Sequence, residues 1–261
     1  MAEHSIPTEA DIVSRSRAIT KPGLYSILPR TSRVESVLPN LKGVKAHVLA
    51  SPQLGACFVE HELLVQPGGG TSRPVDEELE QFLFVLEGKI EIDLADKKHH
   101  LGKGGYAWLP PNTAYSLCGA HEAISRMLWV RKRYEVAEGL TIPTAIVANE
   151  RDVPALAHKG YSPEKNLTPF HEDMAFDMGM ILLFFEPGNY FSIAESHVNE
   201  HGLYMFEGSM VYWLAGDFHE VQADDFIYMA PYCPQYAIAT GWSRSSYVLY
   251  KEVNRDYTAG L

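Results

Sequence analysis

Apolar and polar residues alternate along much of this chain in short runs. "HELLV" at 61–65, "QFLFVLEG" at 81–88, "KIEIDL" at 89–94, "YAWLPP" at 106–111 and "MLWVR" at 127–131 are rich in Val, Ile, Leu, Phe and Tyr, and Pro and Gly punctuate them. Runs of that length and spacing predict β-strands of a sandwich or barrel. No stretch among them sustains the 3.6-residue apolar period of an amphipathic helix.

The pattern occurs twice. Displaced by 120 residues, Pro67–Arg131 lies without a gap over Pro187–Lys251: "QPGG" at 66–69 over "EPGN" at 186–189, "LFVLEG" at 83–88 over "LYMFEG" at 203–208, and "GGYAWLPP" at 104–111 over "DDFIYMAP" at 224–231. An internal repeat of this size predicts two β-barrels in tandem. The boundaries expected are an N-terminal arm (1–44), a first barrel (45–133), a connector (134–172) and a second barrel (173–261). The connector holds Pro143, Pro154, Pro163 and Pro169 and leaves room for a short helix.

Composition narrows the class only modestly. The 261 residues carry 33 acids against 22 bases, a net charge of −11, which argues against nucleic acid or an anionic membrane surface as the main partner. Cys57, Cys118 and Cys233 are odd in number, widely spaced and in no C-x-x-C pair, so neither a disulfide framework nor a cysteine zinc site is expected. The N-terminus carries acids and no apolar run of signal-peptide length, and no segment approaches 18 consecutive apolar residues, so a soluble cytoplasmic protein is the expectation.

Candidate chemistry gathers in "AESHVNEHGLYMFEG", residues 194–208. His197, Glu200 and His201 spell H-x-x-E-H, which on a helix would set two zinc ligands one turn apart with a Glu acting on water. On a helix Glu195 would point away from the histidines. On an extended strand Glu195, His197 and His201 share parity and project to one side, while Glu200 faces the other. The repeat favours the extended reading, since both copies run directly into an aromatic-rich strand ending in Glu-Gly, and Gly202 would interrupt a helix where the motif needs it. A bland alternative is a polar strand face with two surface histidines, and Asn199, of the same parity, is open as a supporting group.

"PGNYFSIAESHVNEHGLYMFEG" resembles the first cupin motif, and "ADDFIYMAPYCPQ" resembles the second. The departures are specific: Glu195 stands where the first His is usual, His201 where the Glu is usual, and Gln235 where the last His is usual. With Tyr212 and "YVLYKEVNRD" at 247–256, this set is similar to the bicupin family of (S)-ureidoglycine aminohydrolases, over about residues 45–257. The resemblance implies all-β double-stranded β-helix (jelly-roll) barrels, a homo-oligomer, and a manganese-dependent hydrolysis of (S)-ureidoglycine to (S)-ureidoglycolate and ammonia.

It also implies site roles. Glu195, His197, His201 and Gln235 would hold the metal; two imidazoles and two oxygens suit an octahedral Mn2+, with Fe2+ or another divalent ion also possible, better than closed tetrahedral zinc. Tyr247 and Lys251 match family residues that reach the substrate, Lys251 pairing with its carboxylate or moving a proton. Tyr212 either binds substrate or fills the barrel. Glu195, Lys251 and a metal-bound hydroxide are alternatives for the base. In the first copy the four ligand positions become Val75, Glu77, Gln81 and Tyr115, and Tyr247 becomes Met127, so no metal is expected there. Arg131 replaces Lys251, and Glu77, Glu78 and Glu80 read as a solvated charge run. His99 and His100 are expected in a turn, and His4, His121, His158, His171 and His219 as solvated or structural. Two other classes remain in view: a manganese or iron oxidase or dioxygenase acting on a small organic acid, and a binding protein without catalysis.

Overall fold

The computed structural model describes residues 17–158 and 162–256, and His4 lies outside them. The described residues form an all-β protein whose helical content is limited to three 3-10 turns, at Arg30–Ser32, Pro52–Leu54 and Glu150–Asp152. The short helix for which the connector leaves room is the single 3-10 turn Glu150–Asp152. Around it Ile146–Asn149, Leu156–His158 and Ser162–Asn166 are strands, and among the described residues no helix is long and apolar enough to cross a membrane.

Two barrel-like units carry the repeat. In the first, Leu79–Glu87 lies between Gly105–Leu109 and Ser125–Arg133, which pairs in turn with Phe58–Thr71. In the second, His201–Glu207 lies in the same way between Phe226–Met229 and Ser245–Glu252, which pairs with Met178–Phe185. Each unit closes with a hairpin and a third strand: Lys89–Leu94, Lys97–Gly102 and Tyr115–Gly119 in the first, Ser209–Leu214, Asp217–Gln222 and Gln235–Thr240 in the second. His99 and His100 therefore sit within a strand, and the turn is Ala95–Asp96, both with positive φ. The "EG" that ends the aromatic strand in both copies has a backbone cause. Gly88 and Gly208 adopt φ of +82° and +76°, and a Cβ on either would come within 2.4 Å of the Ser125 or Ser245 hydroxyl.

The units also exchange strands. Tyr25–Leu28, from the N-terminal arm, pairs with Phe226–Met229 of the second unit, while Ile146–Asn149, from the connector, pairs with Gly105–Leu109 of the first. These two strands lie 120 residues apart in register, Ile27 opposite Ile227 and Val147 opposite Ala107, so the swap is reciprocal.

Period-2 alternation divides the core. Leu83 and Val85 point into the first barrel with Leu63, Val65, Ile92 and Met127. Phe82, Phe84 and Leu86 on the same strand join Trp108, Phe58, Tyr204 and Tyr250 in a larger cluster that runs between the units and through the second. Buried charge accompanies this interface. Lys132 pairs with Asp177 at 2.8 Å and Glu80 at 3.5 Å, and Glu80 also accepts from Trp108 Nε1 at 3.0 Å. Glu80 is thus fully buried, not part of a solvated run, held by Trp108 and Lys132 from other strands.

Candidate active site

The segment 195–200 is extended without being a ladder strand. Glu195 makes an isolated antiparallel bridge with Gln235, N–H to carbonyl in both directions at 2.9 and 2.8 Å, and His197 O accepts from Tyr232 N–H at 2.7 Å. The chain bends at Val198 and enters a regular strand only at His201, opposite Met229 and Lys251. The bend breaks the parity relation: Asn199 turns away and donates to Glu252 O at 2.6 Å. Glu200 also faces away. It is buried between the units, accepting from Cys57 N–H at 3.1 Å and Tyr228 OH at 3.3 Å, and burial pushes its carboxyl up to about 7. The H-x-x-E-H string therefore does not form one site.

Glu195, His197, His201, Gln235, Tyr212, Tyr247 and Lys251 line a single cavity in the second unit, with an empty volume of about 420 Å3. His197 Nε2 lies 3.3 Å from His201 Nε2 and 3.2 Å from Gln235 Nε2, and Glu195 Oε2 stands 3.9 Å from His197 Nε2. Burial, then the charge of Lys251, then His197, holds His201 well below the usual histidine range, so its imidazole is neutral near pH 7. Tyr212 and Tyr247 interact through their hydroxyls, and burial raises both phenols far above their ordinary value, which keeps them neutral. The rest of the lining is apolar, with Ile181 and Leu183 on one strand, Phe191 on the loop that follows it, and Leu203, Met229 and Leu249. Sequence reasoning missed this wall, although the alternation in "MILLFF" puts Ile181 and Leu183 on one face.

The donor chemistry fits a divalent cation. An ion with bonds of about 2.1 Å holds neighbouring donors about 3 Å apart, and the His197–His201 and His197–Gln235 separations are of that size. Turning the Gln235 amide over about its last torsion presents Oε1 in place of Nε2. The cage is not closed: among the described residues no three His, Cys, Asp or Glu side chains are grouped closely enough to enclose an ion, and Glu195 is the donor that stands off.

The first unit has the same backbone and different chemistry. Val75 bridges Tyr115 as Glu195 bridges Gln235. Gln81, at the position of His201, accepts from Tyr115 OH at 2.7 Å and Trp129 Nε1 at 2.9 Å, which plugs that barrel.

An all-β chain whose repeated units each carry this bridge, one with a convergent imidazole pair, is a cupin, and the cupin domain family model matches residues 61–131. The solved oxalate decarboxylase of Bacillus subtilis shares the fold, with a TM-score of 0.70 at 10% identity over 97% of this chain and 85% of that one. The chain belongs to the (S)-ureidoglycine aminohydrolase family. It is 30% identical to the (S)-ureidoglycine aminohydrolase of Escherichia coli (strain K12) over 92% of its own length and 93% of that protein's. A solved Pseudomonas aeruginosa protein named for induction by glyoxylate is 32% identical, with a TM-score of 0.86 over 98% of this chain and 96% of that one.

Proposed function

We propose that the protein hydrolyses (S)-ureidoglycine to (S)-ureidoglycolate and ammonia in the cavity of its second unit, with a divalent cation, Mn2+ foremost, held by Glu195, His197, His201 and Gln235. The observation that carries this reading is the convergence of neutral imidazole, amide and carboxylate donors in one cavity with Lys251 and two neutral tyrosines, in a chain of this family. When bound, the cation supplies Lewis acidity and a fixed point of chelation.

The protein's own groups do the rest. Lys251 pairs with the substrate carboxylate, and Tyr212 and Tyr247, protonated across the working pH range, hydrogen-bond the ureido group. The apolar wall limits water to the face left open, which selects one stereoisomer. Glu195 takes the proton of the ureido N–H and passes it to the departing amine, so that ammonia leaves and a C=N bond remains. Water then adds, its hydroxyl to carbon and a proton to nitrogen through Glu195.

Ammonia release from freshly generated ureidoglycine tests the reading. Activity is expected to vanish on chelation, return with Mn2+, and be absent from His197→Ala/His201→Ala protein. Oxygen consumption with substrate would move the site to the oxidase class, and full ammonia release by the chelated variant would remove the metal from the account.

We also propose that the second unit associates with another copy of itself. On the outer face of its three-stranded sheet, Phe218, Trp213 and Tyr236 form one cross-strand row, and Val211, Ile238 and Tyr190 form the next. At the same positions the first unit has Lys98, Asp93 and Ser116, then Glu91 and Cys118. One fold thus presents an apolar face in one copy and a charged face in the other. Phe218, Tyr190 and Ile238 are 72%, 50% and 37% exposed, and the six side chains together offer on the order of 400 Å2 of apolar area. That approaches the apolar share of the ~800 Å2 per partner in a stable contact. Phe218→Asp with Ile238→Asp is expected to lower the mass measured by light scattering; an unchanged oligomer refutes this face.

A further inference from the structure

The mouth of the first unit holds a second cavity, with an empty volume of about 1050 Å3. Its lining includes Val75, Glu77, Trp129 and Arg131, the positions that in the second unit are Glu195, His197, Leu249 and Lys251. It is therefore the counterpart of the active-site cavity.

The groups around it are incompletely used. Arg131 stacks on the Trp129 ring at 3.9 Å, and one of its terminal nitrogens, Nη1, reaches both Glu77 oxygens at 3.2 Å. Its Nε is buried with no hydrogen-bond partner, so the guanidinium is held mainly by the ring and by Glu77. Arg73, on the same rim, is exposed, and Asp76 beside it is exposed too; neither side chain makes an ion pair or side-chain hydrogen bond among the described residues. Two guanidiniums, two carboxylates and an indole ring face one opening.

We propose that this cavity is a metal-free binding site for a small carboxylic acid bearing N–H donors. The carboxylate is taken by Arg73 together with the end of the Arg131 guanidinium, since a guanidinium presents donors that match a carboxylate. Asp76 and Glu77 accept from the ligand's amine or ureido N–H groups, and Trp129 holds Arg131 flat beneath it. The ligand is of the same class as the substrate proposed for the second unit, and the proposal rests on that reading only for the choice of probe. Retention of charge at position 131, where the ligand set and both tyrosines of the site are replaced, fits a barrel that binds without reacting.

Calorimetric titration of the full chain with N-carbamoylglycine, a stable ureido acid, tests this. His197→Ala/His201→Ala protein, stripped of the imidazole donors of the active site, is expected to keep one site per chain. Adding Arg73→Ala to it is expected to weaken that site at least tenfold, and adding Arg131→Gln to do the same. Arg73 is exposed and supports no packing, so its variant keeps the test sound if Arg131→Gln perturbs the Trp129 stack. Absence of any site in the double-His protein, or unchanged affinity in the Arg73 variant, overturns the proposal. Failure of ammonia release alongside Arg73-dependent binding would count against the catalytic reading and support this one.

Discussion

Replacing Glu60 by Gln should stabilise the protein by an amount that depends on pH in a defined way. Glu60 lies between the units, 2% exposed, behind Gly202, the residue after His201. Its Oε2 has no hydrogen-bond partner, and burial, only partly offset by the charge of Arg33, pushes its carboxyl up from 4.5 to about 8. A carboxyl with a raised value in the folded state opposes folding at every pH at which the unfolded chain is ionised. The penalty is absent well below pH 4.5, grows by about 1.4 kcal/mol per pH unit, and levels off above pH 8. At pH 5 it amounts to about 1 kcal/mol and at pH 7 to about 3 kcal/mol. Gln keeps the shape and has no proton to lose, so Glu60→Gln should gain about 2 kcal/mol over wild type between pH 5 and pH 7. Urea unfolding of both proteins at pH 5, 6, 7 and 8 and constant ionic strength measures this. A stability difference that is the same at pH 5 and pH 7 refutes the reasoning.

Three further outcomes are expected. Gly202→Ala puts a Cβ 2.7 Å from Glu60 Oε2 and 2.8 Å from the Phe58 ring, so it should destabilise by about 1–3 kcal/mol as overpacking does and weaken the rise in melting temperature on adding Mn2+; an unchanged melt would show that the units separate freely behind His201. Arg126→Met removes one of the two guanidiniums on buried Glu62, whose carboxyl is held far below its usual range by His47, Arg33 and Arg126 against the opposing effect of burial. It should cost about 3–5 kcal/mol at pH 7, with the deficit shrinking as pH falls below about 4 and Glu62 takes up its proton, followed by chemical denaturation; a loss under 1 kcal/mol would mean that Arg33 suffices. Lys251→Met should lower kcat/KM for ureidoglycine by about 100-fold, the value of a charged hydrogen bond of roughly 3 kcal/mol, while leaving Mn2+ uptake intact; equal kinetics would remove Lys251 from substrate binding.

Much of the fold was legible because a β-barrel writes its two faces into alternate residues and the chain writes them twice. The strand exchange was not, although Tyr25–Leu28 and Ile146–Asn149 obey the same 120-residue offset, because four-residue strands in Pro-rich surroundings carry no mark of which sheet they join. Glu80 was misread for a related reason. Its neighbours in sequence are acids, and only the folded chain brings Lys132 and Trp108 to it. In the candidate site, the residues with unusual chemistry were legible and the parity rule used to group them was only half right. It describes Glu195 and His197, which are extended, and fails at Asn199, where the bend at Val198 turns the chain. His201 reaches the cavity because its strand is registered against Met229 and Lys251, not because it lies four residues after His197. Spacing alone would admit Asn199 and, on a helix, Glu200; register excludes both, and it is set by the packing of His201–Glu207 between two strands. The composition of the donor set is local information, whereas its geometry belongs to the barrel.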